Sequence, residues 1–340
     1  MKRSILGAAV MVAMLVSLVA IPSVTSAKVI HHGGSNISVV GYSTPGPVYI
    51  NGLEPAFQNT AAGKNVTFTN SFGASDAQAN NLVNGQHADV VNFSYAPNMS
   101  LLRAHHLVPS NWASNTYHGM VTDTVVAFGV RPGNPKNIKT WADLLKKGVG
   151  VDTPDTALSG SAKWNILAAY YAKYLTTSGK TSKKNAKALA YLKSLFKNIV
   201  DQQSSGSKEL AKFLAGTGDV VIGYEDDIME AQGANPGKVQ LIVPPQSLLI
   251  ENPLSVTLPP AAQDQAAAKK FVSFLYSKQG QTIWANNDYW PVLPSVAKHY
   301  HFPKPKKILF KVAKFSGWSK LDPKFFDPTN GIWTKIKNGG

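Results

Sequence analysis

Three short runs of small polar residues stand directly before helical patterns, and their chemistry suits a small oxyanion. The runs are SFGASDAQ from Ser71, LSGSAKWN from Leu158 and QQSSGSKEL from Gln202. The first turn of a helix presents backbone amides without intrahelical partners, at the positive end of the helix dipole. Gly160 and Ser161 occupy such a turn after Ser159, a typical N-cap residue. These runs therefore predict anion binding, with ordinary serine capping as the alternative.

Each run follows a strand pattern, so the strands must bring the three helix starts together. The strand patterns are NISVVGYS, NVTFTNSF, ADVVNFS, DTVVAFGVRPGNP, VGVDTP, IVDQQ, GDVVIGY and VQLIVPPQ, and helical patterns alternate with them. Helical spacing is clear in SGSAKWNILAAYYAKYL, whose apolar positions include Trp164, Leu167, Tyr171 and Tyr174. This alternation indicates an α/β fold with parallel or mixed sheets, in which ligands bind at the carboxyl ends of the strands. No internal repeat or low-complexity linker separates autonomous domains.

Other kinds of site have weaker support in the sequence. There is no GxxxxGK[ST] phosphate loop, and the eight histidines show no HExxH spacing. A serine hydrolase using Ser159 remains a rival, although no GxSxG elbow occurs. Trp290 and Trp318 fit either core packing or a carbohydrate-stacking cleft. Glu225 either holds in place the residues that donate to the ligand, without touching the ligand itself, or simply starts a helix.

The N-terminal stretch has the pattern of a secretory signal peptide. Lys2 and Arg3 precede an apolar run, and small residues end at Thr25-Ser26-Ala27. We expect cleavage after Ala27, with a retained membrane anchor as the alternative, and a mature protein outside the cytoplasm. The chain has no cysteine, so we expect no disulfide, no thiolate metal site and no lipid attachment through cysteine.

The chain is strongly basic. Its formal charge of +15 falls to +13 when Lys2 and Arg3 are removed. Such a charge attracts small anions, anionic envelope polymers or nucleic acid. Nucleic acid is disfavoured because the protein is predicted to be exported, whereas binding to the envelope remains an alternative function. Lysine runs such as SGKTSKKNAK and KPKKILFKVAKF are typical of solvated surfaces.

Several longer blocks resemble a known family. The blocks are GNPKNIKTWADLLKKGVGVDTPD, SGSAKWNILAAY, GDVVIGYED, FLYSKQGQTIWANNDYWPVLPSVAKHY and FSGWSK. In this order they are similar to the extracytoplasmic sulfate-binding proteins of sulfate ABC transporters, over about residues 37–333. The resemblance implies a sulfate receptor, or one for phosphate, thiosulfate or molybdate, that delivers its ligand to membrane permease subunits. It also implies a monomer that has no catalytic activity and no cofactor.

The fold implied by the resemblance is α/β, namely the two-lobed type II periplasmic-binding-protein fold with a ligand cleft between the lobes. We expect a signal peptide at 1–27, a discontinuous lobe 1 at 28–122 and 248–340, and lobe 2 at 123–247. The resemblance places the two crossings between lobes near Gly119–Val130 and Leu241–Pro253.

The resemblance further implies which residues donate hydrogen bonds to the anion. Backbone amides would come from Ser43, Ser75, Gly160, Ser161 and Ser204, a hydroxyl from Ser159, and a side chain from Tyr224. The family usually has Asp, Ala and Trp at positions 43, 204 and 224, and Gly at 76. Asp76 fits two interpretations, a carboxylate facing solvent or an acceptor in the cleft that would select a protonated oxyanion such as phosphate.

Overall fold

The computed structural model describes residues 34–339, and these form one compact unit. The expected leader and its cleavage site after Ala27 lie outside them. In this part of the chain, no helix combines the length and the apolar character needed to cross a membrane.

A mixed sheet runs through the described residues. Its strands are β1 (Asn36–Tyr42), β2 (Thr67–Gly73), β3 (Val90–Asn92), β4 (Met120–Val130), β5 (Val151–Asp152), β6 (Ile199–Asp201), β7 (Val220–Tyr224), β8 (Gln240–Ile242), β9 (Gln246–Val256), β10 (Trp290–Pro291) and β11 (Ile308–Phe310). The main order is β2-β1-β3-β9-β4-β7-β5-β6, with β10 and β8 on β4 and β11 on β9. The expected α/β class with mixed pairing is confirmed.

The α-helices alternate with these strands and cover the sheet. They are α1 (Gly46–Val48), α2 (Glu54–Gln58), α3 (Ser75–Val83), α4 (Ala96–Ala104), α5 (Gly160–Thr176), α6 (Thr181–Phe196), α7 (Gly206–Leu214), α8 (Glu225–Ala234), α9 (Gln265–Leu275), α10 (Lys278–Asn286), α11 (Pro294–Ala297), α12 (Trp318–Phe326) and α13 (Ile332–Lys337). Short 3-10 segments lie at Trp141–Leu145 and Val312–Phe315, and a π-helical segment lies at Tyr49–Leu53.

Strands β4 and β9 connect the two lobes. The first half of β4 pairs antiparallel with β9, whereas residues 126–130 of β4 pair with β7 in lobe 2. Strand β9 continues in the other direction and pairs with β3 in lobe 1. Strand β4 covers nearly the same residues as the first expected crossing, and β9 lies a few residues later than the second. The crossings stay a prediction.

Each lobe has its own apolar core. In lobe 1, Tyr49, Phe271 and Trp284 are fully buried in one cluster. The lobe 2 cluster surrounds α5, in which almost every residue from 162 to 172 is buried. The sequence pattern places the apolar residues of α5 on one stripe. In the structure this helix is covered on all sides, as expected for a helix that is apolar around its whole circumference.

The last elements of the chain pack on lobe 2. Phe315 stacks on Tyr171 of α5 with ring centroids 3.7 Å apart, and Phe196 of α6 meets Trp333 at 5.6 Å. The division at residues 123–247 stays a prediction. These contacts favour a different division of the chain, in which residues 308–337 belong to lobe 2.

Candidate functional site

The start of α5 carries amides that no side chain of its own caps. Ser159 occupies the N-cap position with extended backbone, as predicted, but its hydroxyl does not cap the helix. Instead the Oγ atoms of Ser159 and Ser161 lie 2.8 Å apart. No acidic residue occurs in the first turn. This helix start therefore combines free amides with an uncompensated positive dipole end.

Gly160 sits where α5 touches lobe 1. A Cβ atom at this position would collide with Ser94 Oγ and would lie 2.7 Å from Cδ1 of Tyr95. Ser94 and Tyr95 follow β3, and Ser94 Oγ is buried without a partner among the described residues. Glycine is needed here because it lets the two lobes approach at the helix start.

Ser75 is the first residue of α3 rather than its cap. The run SFGASDAQ predicts Ser75 as the N-cap of this helix, but Ala74 occupies that position, so the prediction is wrong by one residue. Its hydroxyl donates to Asn98 Oδ1 at 2.7 Å and accepts the Ser94 amide at 3.0 Å. These long-range bonds hold Ser75 beside the loop that Gly160 contacts.

Asp76 lies between the lobes rather than facing open solvent. Its Oδ1 accepts hydrogen bonds from Tyr95 Oη at 2.6 Å and Asn98 Nδ2 at 2.7 Å. Its Oδ2 lies 3.1 Å from Lys163 Nζ on α5. The carboxylate is thus occupied by lobe 1 donors and by a lysine of lobe 2. The solvent-facing interpretation is wrong, and the interpretation as an acceptor for a protonated oxyanion stays a prediction.

Lys163 extends this contact into a network between the lobes. Its Nζ donates to Tyr95 Oη at 2.6 Å and lies 3.4 Å from Asp322 of α12. The residue is only 9% exposed. A buried lysine needs such partners because an unpaired charge there is costly. We call the Asp76–Lys163 ion pair the lobe bridge.

Tyr224 ends β7 and is fully buried. Its Oη lies 3.5 Å from the carbonyl oxygen of Ser94, the distance of a weak hydrogen bond. Burial, with Asp227 and Asp226 nearby, raises the pKa of Tyr224 well above its ordinary value. The phenol therefore keeps its proton and can act as a donor.

The start of α8 is acidic and buried. Glu225 begins this helix, and its Oε2 accepts from Thr124 Oγ1 at 3.2 Å and from Trp290 Nε1 at 2.9 Å. Burial, with a smaller effect of Asp226, raises the pKa of Glu225 to about 9. Glu225 starts the next helix, one of its two predicted roles, and the partners of its carboxylate are Thr124 and Trp290 rather than the predicted donors.

Both tryptophans in question belong to packed surfaces. Trp290 is buried against Val125 and Leu249. Trp318 meets Tyr95 and Trp164 edge to face, with ring centroids 5.1 and 4.6 Å away. The core-packing interpretation is therefore confirmed and the carbohydrate-cleft interpretation has no support in these contacts.

Ser43 and Ser204 lie beside α7. Ser207 Oγ donates to Ser43 Oγ at 2.8 Å, which joins lobe 1 to lobe 2. Ser204 precedes Ser205, and Ser205 caps α7 by accepting the Lys208 amide at 3.3 Å. A Cβ at Gly206 would lie 3.0 Å from Ser161 Oγ, so α7 begins next to α5.

The structure brings most of the predicted donors into one neighbourhood at the lobe boundary. Ser161 and Tyr224 line the same narrow cavity, and Ser75, Gly160 and Tyr224 each contact Ser94. Ser43 contacts this region through its hydrogen bond with Ser207 of α7. That all seven bind one anion stays a prediction.

Sequence patterns missed Ser94, Tyr95 and Lys163. The only signal for the first two was their position directly after the buried strand ADVVNFS. Lys163 lies in the helical pattern SGSAKWNILAAYYAKYL, and lysines in such a pattern are predicted to be exposed. Among residues 34–339, no cluster of three His, Asp or Glu side chains could hold a metal ion.

Comparison with known proteins places the chain among bacterial solute-binding proteins. The profile of the family described as "Bacterial extracellular solute-binding protein" matches residues 37–289. The sulfate-binding protein of Salmonella typhimurium is 35% identical over 272 residues, covering 78% of this chain and 81% of the relative. A thiosulfate-binding protein of Pseudomonas aeruginosa is 31% identical, covering 80% and 83%.

Solved structures extend the likeness to the whole described fold. The sulfate-binding protein SubI from Mycobacterium tuberculosis H37Rv has a TM-score of 0.81 and 36% identity, covering 86% of this chain and 100% of that one. A periplasmic thiamin binding protein, at 18% identity and a TM-score of 0.64, shares the fold alone. The chain therefore belongs to the family of bacterial extracellular solute-binding proteins.

Proposed function

We propose that this protein captures sulfate outside the cytoplasm and delivers it to the permease subunits of an ABC transporter. The observation that carries the proposal is the neutral, uncapped start of α5 at the boundary between two lobes. The sulfate- and thiosulfate-binding relatives support the ligand class. The proposed donors are those predicted from the sequence, with Ser43 and Ser75 in lobe 1 and the rest in lobe 2.

Neutral donors suffice for a buried dianion. Burial costs several kcal/mol per charge after relaxation. Each hydrogen bond to a charged group returns roughly 1.5–3 kcal/mol. Seven aligned donors therefore offset the cost without a Lys or Arg touching the ligand.

The lobe bridge favours sulfate over phosphate. Selection of HPO₄²⁻ requires a free acceptor for its proton, whereas sulfate and thiosulfate dianions carry no proton near neutral pH. Three partners already take most of the roughly four acceptor sites of the Asp76 carboxylate, and Lys163 balances its charge. We therefore place phosphate behind sulfate. Thiosulfate and molybdate, which also carry no proton, stay as alternatives, and thiosulfate is the nearer one because a thiosulfate-binding protein is among the relatives.

We propose binding without catalysis. A serine hydrolase needs a histidine to take the proton of its nucleophile. Ser159 Oγ instead meets Ser161 Oγ, and within residues 34–339 no histidine side chain bonds either serine. We further propose a monomer in the periplasm or at the outer face of the cell, without a cofactor and without nucleic acid as partner.

Calorimetric titration of residues 28–340, freed of anions, tests the proposal. Sulfate should bind tightly and phosphate weakly at two pH values. Tyr224→Phe removes one donor and should weaken sulfate binding about ten-fold or more. Tyr289→Phe, a buried tyrosine of lobe 1, is the matched control and should change affinity little. Phosphate binding more tightly than sulfate, or equal effects of the two variants, would contradict the proposed site.

A further inference from the structure

The positive charge of this protein comes from two segments. Residues 156–200 contain eight lysines and no acidic residue, and residues 289–321 contain seven lysines and no acidic residue. The rest of the chain holds 19 basic residues and 19 acidic ones. The whole formal charge of +15 therefore resides in fewer than a quarter of the residues.

These two segments are neighbours in the fold. Phe315 of the second segment stacks on Tyr171 of α5, and Trp318 packs against Trp164 of the same helix. Lys184 of α6 lies 5.4 Å from the ring of Tyr174, which in turn meets Phe315 at 6.1 Å. One continuous layer thus carries both acid-free segments on lobe 2.

Most lysines of this layer are exposed. We define the basic face as Lys173, Lys180, Lys183, Lys187, Lys193, Lys197, Lys306, Lys307, Lys311, Lys314 and Lys320. Among residues 34–339, Lys311 alone of these eleven forms an ion pair, with Glu251 at 3.0 Å. No carboxylate oxygen lies within 4.0 Å of the other ten ammonium groups in this part of the chain, so the face offers a high density of positive charge.

Two further features of the face suit a bilayer better than a soluble polymer. Leu309 is 43% exposed and lies between Lys307 and Lys311. A groove of about 340 Å³ opens between the 3-10 segment at 141–145 and helices α5 and α6, lined by Trp141, Lys173, Thr176, Lys187, Tyr191 and Gln246. Strand β11 borders it, because Ile308 pairs with Gln246. The exposed Leu309 fits among acyl chains, and the lysines that line the groove fit phosphate headgroups.

We propose that the basic face docks this receptor on a bilayer with anionic headgroups. Each lysine near such a surface raises the association constant about five-fold, and the attraction fades within a Debye length. Eleven lysines on one layer therefore give reversible, salt-sensitive attachment. The anion site lies at the lobe boundary, and its seven donors are not part of the face.

Co-sedimentation with vesicles tests this inference. Residues 28–340 should bind vesicles of phosphatidylglycerol and phosphatidylcholine in equal parts, and should leave pure phosphatidylcholine vesicles unbound. The variant K183Q/K187Q/K193Q/K197Q should lose roughly several hundred-fold in affinity, since each of the four lysines contributes a factor of about five. The variant K306Q/K307Q/K314Q/K320Q repeats the test without altering α6.

A matched control removes the same charge elsewhere. K64Q/K238Q/K269Q/K278Q changes four exposed lysines outside the two segments and should stay within about three-fold of the parent. Leu309→Ser should weaken vesicle binding while leaving binding to polyphosphate unchanged. Equal losses for the control and both face variants would overturn the assignment to this face. Polyphosphate binding without vesicle binding would overturn the bilayer as partner.

Sulfate titration of the same variants keeps the two proposals separate. Both face variants should keep the sulfate affinity of the parent, because none of their residues belongs to the predicted donor set. Vesicle binding that persists in a protein unable to bind sulfate would refute only the proposed ligand.

Discussion

Helices α5 and α8 both start at the lobe boundary after a strand, yet their first turns have opposite chemistry. The first turn of α5 contains no acidic residue, whereas that of α8 contains Glu225, Asp226 and Asp227. The start of α8 is therefore filled by its own buried carboxyl groups, of which Glu225 is held protonated at neutral pH. A helix start is available to an external anion only when the chain's own side chains leave its amides free.

Helices α3 and α7 lie between these extremes. Asp76 in the first turn of α3 is neutralised by Lys163 from α5. Ser205 caps α7 through its own hydroxyl, which leaves one fewer free amide. Of these four helix starts, that of α5 is therefore the best suited to bind an anion.

Giving α5 an acidic start should have the largest effect. Ser161→Asp places a carboxylate in the first turn, and like charge beside a dianion costs several kcal/mol. We expect sulfate affinity to fall roughly a hundred-fold or more by calorimetry. Ser161→Asn, which is similar in size but neutral, is the control. Equal affinities for the two variants would show that the anion binds elsewhere. Gly160→Asp is less informative because any side chain there collides with Ser94.

Removing Lys163 should leave α3 with a carboxylate at its start that no lysine neutralises. Lys163→Met leaves Asp76 unpaired near the donors and breaks the contact between lobes. We expect sulfate affinity to fall about ten-fold or more, because a carboxylate without its neutralising lysine repels the dianion. Adding Asp76→Asn should restore part of the loss. A double variant no better than Lys163→Met would contradict the electrostatic explanation.

The acidic start of α8 should appear in the pH dependence of stability. Glu225 ionises near its ordinary value of 4.5 in the unfolded chain but at about 9 when folded. Between these values the unfolded state binds fewer protons, so the free energy of unfolding falls as pH rises. From pH 7 to 9 this fall should be about 2 kcal/mol.

Glu225→Gln tests this slope because it imitates the protonated acid. Urea unfolding at pH 7, 8 and 9 should show a flatter profile for the variant than for the parent. Asp264→Asn, at the cap of α9, is the control and should leave the slope unchanged. Parallel profiles for parent and Glu225→Gln would mean that this carboxyl is ionised when folded.

The smallest effect is expected at α7. Ser205→Ala removes one cap and should lower the free energy of unfolding by about 0.5–2 kcal/mol. Sulfate affinity should change less than three-fold, because the predicted donor there is the Ser204 backbone. Thermal unfolding and calorimetry on the same samples measure both quantities. A large affinity loss with unchanged stability would assign the Ser205 hydroxyl to the ligand.

Much of the fold could be predicted because strands and helices follow from local patterns. The valines of ADVVNFS and the spacing within SGSAKWNILAAYYAKYL are signals contained within a few residues. Patterns failed where packing decided the outcome. The pattern LEPAFQNTAAG predicts a helix closed by Gly63, but the α-helix there covers only Glu54–Gln58. The helical pattern AAAKKFVSFLYSKQGQTIWAN is divided between α9 and α10.

The amino-acid sequence by itself determined the α/β class, the small-residue helix starts and the acid-free segments that hold the positive charge. The tertiary structure alone decided that Asp76 meets Lys163, that Ser43 meets Ser207, and that the chain's end covers α5. The reason is distance along the chain: Ser43 and Ser207 are separated by 164 positions. Local propensities act over a few residues, whereas such contacts exist only after the strands have placed both partners at one boundary.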